Sequence, residues 1–252
     1  MMNKFLCNIT GNRFDLDDNE KYREGGSRFG FNCRFRAICY VFCKLFYGEC
    51  KILKDLEKNK NLKGIGMSDG AWANIFQDKF NYINTYYHCE PYLDIYNQEH
   101  LKEYKDLDFI ISSDVFEHIN PLPGLQIAFD NVFSILKCEG VFIFSVPFVY
   151  GEHKEHFPNL YDYKIENING KYVLYNTTID KKTETFDNLC FHGGPGSVLE
   201  MRVFSKKSII SFLEKSGFID IRFYEITEDM KKYGIYWKNN NGLIISAKKP
   251  AF

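Results

Sequence analysis

The chain alternates short apolar runs with longer amphipathic stretches. Apolar runs of strand length predict strands at Leu62–Gly66, Tyr82–Tyr87, Phe109–Ser113, Val141–Pro147, Ile219–Ile226 and Leu243–Ala247. Apolar positions at helical spacing predict helices at Arg34–Phe46, Lys51–Lys58, Ala71–Lys79, Leu125–Lys137 and Lys206–Ser216. Strands and helices that alternate in this way are typical of a mainly parallel sheet with helices on its faces.

Two segments lack this alternation. Residues 1–50 start with an irregular, turn-rich stretch and end in the helix predicted at Arg34–Phe46, and we interpret them as an N-terminal extension. Residues 149–204 are polar and aromatic and hold three of the six histidines. A connection of this length is uncommon in a compact domain, so we interpret it as an insertion that forms a lid or subdomain. The main domain is then residues 51–252 with this insertion.

Composition and charge exclude several classes of protein. Hydrophobic residues make up 45% and charged residues 26% of the 252 positions, which is the balance of a globular chain. The 32 Lys and Arg residues nearly cancel the 33 Asp and Glu residues, so no global field favours nucleic acid. The longest apolar run, Val141–Phe148, is far shorter than a membrane span, and Met1–Asn12 does not resemble a secretory signal. We expect a cytoplasmic protein with reduced cysteines.

A glycine-rich turn follows the first predicted strand. The segment Leu62–Gly70 runs from a strand through this turn into a helix, where glycines admit a ligand close to the backbone and amide groups favour an anion. A generic α/β turn has the same appearance, and that alternative stays open. A second polar segment, Ser112–Ile119, ends the strand predicted at Phe109–Ser113. Open α/β sheets bind ligands at such strand ends.

In the order and spacing of these motifs, the chain resembles the class I S-adenosylmethionine-dependent methyltransferases, particularly those with an "SDVxEHI" segment after the fourth strand. The resemblance covers Lys63–Lys248. It implies a doubly wound, Rossmann-like α/β fold with a seven-stranded sheet, in which the last strand, Leu243–Ala247, is antiparallel. The insertion would follow the fifth strand. The resemblance also implies S-adenosylmethionine as the cofactor, lying across the carboxyl ends of the first and fourth strands.

The cofactor-binding residues follow from this resemblance. They are Gly64, Gly66, Ser68, Asp69, Glu90, Asp94, Ser113 and Asp114. Gly64 stands where the family has an acid and Ser68 where it has a glycine, so we expect Asp69 to meet the ammonium of the cofactor. Glu90 would accept the ribose hydroxyls and Asp94 would face the adenine amino group. Either of these two acids could instead be a solvated surface residue.

The methyl acceptor is expected to meet residues of the loop after the fourth strand and of the insertion. The catalytic candidates are His118, His156, His192 and Glu200, because a histidine titrates near neutral pH and can take a hydroxyl proton. The substrate-binding candidates are Arg34, Arg36, His153 and Arg202, with Arg202 as an anion clamp. The alternatives are that His118 packs its loop, that Glu200 and Arg202 form a structural ion pair, and that the insertion histidines satisfy loop backbone.

Metal binding is not expected from the sequence. The insertion has histidines and carboxylates but no closely spaced HxxxH or CxxC pair. The N-terminal stretch resembles a zinc knuckle that has lost ligands, with Thr10 and Ser27 where thiolates would be needed. Beside it, Arg23, Arg28, Arg34 and Arg36 form a basic cluster. This cluster could hold an anionic acceptor or the cofactor carboxylate, or it could be the solvated face of a helix.

The function that follows is O-methylation of a polar small molecule. Small methyltransferases with a histidine-rich insertion resemble those of bacterial capsule and surface-polysaccharide pathways, so the acceptor would be a sugar hydroxyl, or a phosphoryl or phosphoramidate oxygen, on a nucleotide-linked precursor. One alternative is a nicotinamide-dependent oxidoreductase, although the G-x-G-x-x-G spacing is lacking. Another is a nucleic-acid-binding module, which the near-zero net charge disfavours. Whether the chain forms a homodimer is left open.

Overall fold

The computed structural model describes residues 5–70, 72–237 and 242–251. Its strands are β1 (Phe5–Leu6), β2 (Arg13–Phe14), β3 (Asn59–Met67), β4 (Phe80–Thr85), β5 (Leu107–Ser113), β6 (Leu136–Ser145), β7 (Phe148–Val149), β8 (Lys154–Glu155), β9 (Asp162–Ile168), β10 (Lys171–Thr177), β11 (Thr183–Phe186), β12 (Phe191–His192), β13 (Val198–Leu199), β14 (Arg202–Ser205), β15 (Ile219–Tyr224) and β16 (Ile244–Lys248). Its α-helices are α1 (Cys33–Tyr47), α2 (Ala73–Lys79), α3 (Gln98–Glu103), α4 (Leu125–Ile135), α5 (Lys206–Ser216) and α6 (Glu228–Lys231).

The central sheet contains six of these strands in the order β15-β16-β6-β5-β3-β4. The pairs β3–β4, β3–β5 and β5–β6 are parallel, whereas β16 is antiparallel to both of its neighbours. The chain leaves β3 for β4 on one side and returns to β5 on the other. The order of strands therefore reverses between β3 and β5, as in doubly wound folds. This confirms the Rossmann-like α/β class and the antiparallel last strand.

All six apolar runs form strands of this sheet, but the seventh strand implied by the resemblance is not present in the described ranges. The segment between β4 and β5 forms helix α3 and an isolated bridge between Tyr86 and Tyr92 instead. Two predicted helices also differ. Residues 51–58 form only a short 3₁₀ turn, Leu53–Asp55, and α2 begins at Ala73, while Ala71 lies outside the described residues.

Helix α1 connects the N-terminal extension to one face of the sheet. Its start is capped by the side chain of Asn32, which accepts a hydrogen bond from the amide of Phe35. Phe42 of α1 packs edge-on against Phe76 of α2 and Phe109 of β5, with ring centroids 4.8 and 5.0 Å apart. The extension thus shares a hydrophobic core with this face of the sheet.

Helices α4 and α5 cover the opposite face. Phe129 of α4 stacks on Phe212 of α5 at a centroid distance of 5.3 Å, and both belong to the second core. The end of α5 is fixed by Gly217, whose φ of 98° suits a residue without a side chain.

The insertion forms its own small sheets. Strands β9, β10 and β11 make an antiparallel sheet over a small core that includes Phe157, Leu174 and Met201. Strand β14 then pairs in parallel with β7, where Phe204 lies opposite Phe148. The amide of Met201 donates to the carbonyl of Glu117 at 2.8 Å, so the end of the insertion is attached to the loop after β5.

The two remaining sequence expectations are reduced cysteines and the lack of a membrane-spanning segment. All eight cysteines are free thiols, and none is paired in a disulfide. In the described part of the chain, no helix has the length and apolar character needed to cross a bilayer.

Candidate active site

The turn after β3 and the loop after β5 lie side by side at the point where the strand order reverses. Met67 of β3 is in register with Ser112 of β5, and Ser113 is in register with Ser145 of β6. The three strand ends therefore form one continuous edge. Ligands of open α/β sheets bind at this kind of edge.

Asp114 is the centre of an ion-pair network at this edge. It adopts φ of 55°, donates its amide to the carbonyl of Ser145 at 2.9 Å, and accepts the Ser145 hydroxyl at 2.8 Å. Arg34 approaches its carboxylate at 2.7 Å, and Arg23 binds the same carboxylate with both terminal nitrogens. Burial alone would raise the pKa of Asp114, but the two guanidinium groups lower it to about 2.

The N-terminal extension supplies both of these arginines. Arg34 also donates to the hydroxyl of Ser113 at 2.8 Å and pairs with Glu24 at 3.0 Å. The structure thus brings Ser113 and Asp114, predicted to bind the cofactor, together with Arg34, predicted to bind substrate. The central position of Arg23 was not predicted, because four arginines of similar appearance lie in this part of the chain.

Arg36 does not reach the site, contrary to the prediction that it binds substrate. Its side chain is fully buried, donates to the carbonyls of Phe31 and Gly234, and lies over the ring of Phe14. Two positions along α1 correspond to about 200° of rotation, so Arg36 points away from the face that carries Arg34. Arg36 therefore holds the extension together.

Asp69 lies buried in the turn after β3. Its carboxylate accepts the hydroxyl of Tyr82, and its amide donates to the side chain of Asn84 at 2.9 Å. Burial raises the pKa of Asp69 to about 7, although the Tyr82 hydrogen bond and the charge of Arg34 act in the opposite direction. Ser68 takes φ of 56°, the conformation that a glycine usually supplies in such a turn.

The glycines of β3 pack against core side chains, and their contact with a ligand remains a prediction. A Cβ on Gly64 would overlap the ring of Phe109, and a Cβ on Gly66 would overlap the Tyr82 hydroxyl and the Asp69 carboxylate. Tyr82 and Phe109 stack almost parallel across the strand, 5.8 Å apart. The glycines give these two rings room.

Glu90 and Asp94 make local hydrogen bonds. Glu90 is exposed and accepts the amide of Tyr92 at 3.1 Å, and Asp94 accepts the amide of Tyr96 at 2.9 Å. These are turn contacts, which fit the alternative of surface acids. A role in binding the nucleoside remains a prediction for both residues.

Glu117 is a buried carboxylate beside two histidines. Its side chain has no exposed surface, and no other described residue donates a hydrogen bond to either oxygen. Its Oε1 lies 3.7 Å from Nε2 of His118 and 3.8 Å from Nδ1 of His192. Burial and the neighbouring Asp114 raise the pKa of Glu117 well above its usual range. Sequence reasoning missed this residue, although it lies within the segment that carried the resemblance.

Glu200 extends the cluster into the insertion. One carboxylate oxygen lies 3.0 Å from Nε2 of His156 and the other 2.9 Å from Nε2 of His192. These contacts lower the pKa of Glu200, first through the His192 hydrogen bond. On the other side of Glu117, Nδ1 of His118 lies 2.8 Å from the carbonyl of Leu199. The four predicted catalytic residues are therefore neighbours.

Arg202 and His153 lie behind this cluster. The structural ion pair that was the alternative for Arg202 forms, but with Glu155, at 2.7 Å, rather than with Glu200. The guanidinium is fully buried and also donates to the carbonyl of Phe116 at 2.6 Å. His153 contacts the same Glu155 at 3.1 Å. Arg202 thus helps to position the loop after β5, whereas His153 contacts Glu155 and Ser208 away from that loop.

Several buried polar atoms around the strand ends have no hydrogen-bond partner among the described residues. They are Oδ1 of Asp69, Nε1 of Trp72 and both carboxylate oxygens of Glu117. Unpaired buried polar atoms are costly and rare in native proteins. A ligand with an amine would satisfy the free oxygen of Asp69, so the turn after β3 fits a polar cofactor.

A cavity of about 560 Å³ opens beside His156. This volume is in the range of small-molecule sites. It is lined by Lys154, His156, Phe157, Thr185, Phe186, Asp187, Asn188, Leu189 and Cys190. Through His156, it is contiguous with the Glu200–His192 contacts.

Comparison with known proteins gives only distant structural matches. No protein-family model matches the chain, and no curated protein matches it by sequence. Among solved structures it is similar to an S-adenosylmethionine-dependent methyltransferase from Clostridium acetobutylicum ATCC 824, with 15% identity, 88% of this chain and 100% of that chain covered, and a TM-score of 0.43. It is also similar to a SAM-dependent methyltransferase from Archaeoglobus fulgidus, with 14% identity and a TM-score of 0.43. This match covers 88% of this chain and 97% of that chain. At these values the matches establish no family, and the fold assignment rests on the strand order.

Proposed function

We propose that the protein is an S-adenosylmethionine-dependent methyltransferase that acts on an oxygen of a polar acceptor. The observation that carries this proposal is the meeting of the β3 turn and the β5 loop at the reversal point of the sheet. The sequence resemblance implies the cofactor at these two strand ends. The antiparallel β16 beside β6 is the strand arrangement that the same resemblance implies.

Asp69 and Arg34 are the residues that would hold the amino-acid end of the cofactor. When bound, S-adenosylmethionine would supply an electrophilic methyl group on a sulfonium, and it carries an ammonium and a carboxylate. Asp69 has an unpaired carboxylate oxygen for the ammonium. Arg34 offers a guanidinium, held at the edge by Ser113 and Asp114, for the carboxylate.

The cluster of Glu117, His118 and His192 would assist removal of the proton from the acceptor hydroxyl. A hydroxyl must lose its proton to become a good nucleophile, and side chains positioned for this typically contribute two to four orders of magnitude to the rate. Glu200 fixes the orientation of His192 through a hydrogen bond at 2.9 Å. Placement of the acceptor oxygen within this cluster would supply most of the remaining acceleration.

We propose as the acceptor a sugar hydroxyl, or a phosphoryl or phosphoramidate oxygen, on a nucleotide-linked precursor of a bacterial surface polysaccharide. The support is the sequence resemblance and the polar lining of the cavity beside His156. This lining includes Lys154 and Asn188 together with aromatic rings. Such a mixture suits a polar acceptor that carries both charge and a planar or ring-shaped group.

Calorimetric titration with S-adenosylhomocysteine and with NAD tests the proposed function. We expect one equivalent of S-adenosylhomocysteine to bind and NAD not to bind. The matched variants are Arg34→Ala, which removes the guanidinium at the edge, and Arg222→Ala, an exposed arginine of β15 that pairs with Asp220. Loss of affinity in the first variant alone supports the site. Binding of NAD in place of S-adenosylhomocysteine would favour the oxidoreductase alternative.

A further inference from the structure

The triad of Glu117, His118 and His192 has the features of a metal site. The three potential ligand atoms lie within 4.8 Å of one another. Glu117 Oε1 is 3.7 and 3.8 Å from the two imidazole nitrogens. With bonds of about 2.1 Å, a tetrahedral ion would separate its ligand atoms by about 3.4 Å. The two carboxylate–imidazole distances exceed this separation by only a few tenths of an ångström, and the two imidazole nitrogens lie within 4.8 Å of each other.

Both histidines already have the hydrogen bonds that orient metal-binding imidazoles. Nδ1 of His118 lies 2.8 Å from the carbonyl of Leu199, which leaves its Nε2 as the lone-pair nitrogen facing Glu117. Nε2 of His192 lies 2.9 Å from Glu200, which leaves its Nδ1 facing Glu117. A metal-binding histidine usually donates its second N–H to a carbonyl or carboxylate in this way.

Glu117 gives an independent reason for a ligand at this place. Its carboxylate is fully buried, points between the two imidazoles, and receives no hydrogen bond from any other described residue. A buried carboxylate is stable when it is paired or coordinates a metal. The unpaired oxygens of Glu117 are thus explained by a bound cation.

We propose that Glu117, His118 and His192 bind a divalent transition-metal ion at the edge of the sheet. Two imidazoles and one carboxylate suit zinc and its first-row neighbours better than magnesium or calcium, which prefer oxygen ligands alone. Three protein ligands leave a coordination position for water or for an acceptor oxygen. The role of the ion in lowering the pKa of an acceptor hydroxyl rests on the proposed function, whereas metal binding itself does not.

A second set of metal-binding residues shares His192 but is less suited to hold the ion. Cys190, His192 and Glu200 also lie within 4.8 Å of one another. Cys190 is exposed, however, and both oxygens of Glu200 are already engaged by His156 and His192. The two sets can be separated because Glu117 and Cys190 each belong to only one of them.

The test is calorimetric titration of the chelator-stripped protein with Zn²⁺, without cofactor or acceptor. One equivalent is expected to bind, and Glu117→Gln and His118→Ala should each weaken binding by about 100-fold or more. The control variants Cys190→Ser and His153→Ala should keep wild-type affinity. His153 is a partly buried histidine paired with a glutamate, like His192, but it lies outside the triad.

Co²⁺ substitution gives a second, spectroscopic readout on the wild-type protein. We expect the visible absorption of a tetrahedral or five-coordinate Co²⁺ ion. The spectrum should show no thiolate charge-transfer band. Any of three results would overturn the proposal. The wild type could fail to bind Zn²⁺ stoichiometrically, both Glu117→Gln and His118→Ala could keep their affinity, or Cys190→Ser could lose it. Because the titration contains no S-adenosylhomocysteine, its failure would leave the methyltransferase proposal standing, and the converse also holds.

Discussion

Arg34, in the first turn of α1, lies 2.7 Å from the carboxylate of Asp114, the residue that follows β5. This pair joins the N-terminal extension to the switch point of the sheet. Both side chains are largely buried, with 14% and 15% of their side-chain surface exposed. The extension is thereby part of the site, and the charge of Asp114 is compensated before any ligand binds.

Stability should depend on the ionisation of Asp114. Its pKa is lowered to about 2 in the folded protein, so its stabilising contribution is present above the unfolded pKa near 4 and is lost as pH falls from about 4 to about 2. The shift corresponds to about 2–3 kcal/mol. Urea unfolding between pH 2 and 7 should show this loss in the wild type and a smaller loss in Asp114→Asn, in which Glu200 and Glu155 still titrate. Asp18→Asn, which removes an exposed carboxylate paired with Lys21, is the control and should follow the wild type.

Binding of S-adenosylhomocysteine should tighten as Asp69 ionises. Because burial raises the pKa of Asp69 to about 7, the carboxylate that would meet the ammonium is only partly present at pH 6. Affinity should therefore increase from pH 6 to 7.5. Asp69→Asn should weaken binding by about 10-fold at pH 7.5 and abolish this pH dependence. An unchanged dissociation constant in the variant would show that the turn after β3 does not hold the cofactor. The matched control is Asp78→Asn, which changes an exposed aspartate and should bind like the wild type.

Gly66→Ala should destabilise the fold through the core. The added methyl group would overlap the Tyr82 hydroxyl and the Asp69 carboxylate, at a cost of about 1–3 kcal/mol in the free energy of unfolding. Gly151→Ala is the control, since the nearest atom to its Cβ is a Val149 methyl group 4.0 Å away. Adding Tyr82→Phe to Gly66→Ala removes one of the overlapping atoms and should recover part of the loss. Equal effects of the two alanine variants would refute this explanation of the β3 glycines.

His192→Ala should lower turnover with little change in affinity for S-adenosylhomocysteine. His192 links Glu117 to Glu200 and does not contact the turn after β3 through any of the contacts described above. Loss of a group that handles the acceptor proton typically costs about 100-fold or more in rate. His153→Ala is the control, and its turnover should stay within about 3-fold of the wild-type value. A fall in cofactor affinity that matched the fall in turnover would argue against a role in acceptor chemistry.

The sequence predicted the centre of the sheet well because its central strands are buried on both faces. Ile110 and Ile111 of β5 and Phe142 to Phe144 of β6 are fully buried, and such continuous apolar runs leave a strong signal. The seventh strand, which the described residues do not show, came from the resemblance and not from an apolar run. Residues 86–97 contain Pro91 and several polar residues, and they form turns and an isolated bridge between Tyr86 and Tyr92 before α3 begins.

The site was predicted less completely because its residues are defined by long-range contacts. Arg34 and Arg36 look equivalent in the sequence, yet two positions along a helix point in different directions, and only Arg34 faces Asp114. Glu117 and Glu155 likewise appear as ordinary acids, but the first is buried beside two histidines and the second pairs with Arg202. Spacing along the chain carries no information about such partners.

The most direct test of the account is a crystal structure of the protein with S-adenosylhomocysteine. We expect density for one nucleoside across the carboxyl ends of β3 and β5, with its amino-acid end beside Asp69 and Arg34. Density that lay elsewhere, for example in the cavity beside His156, with the strand ends still closed by the Arg34–Asp114 pair, would contradict the account.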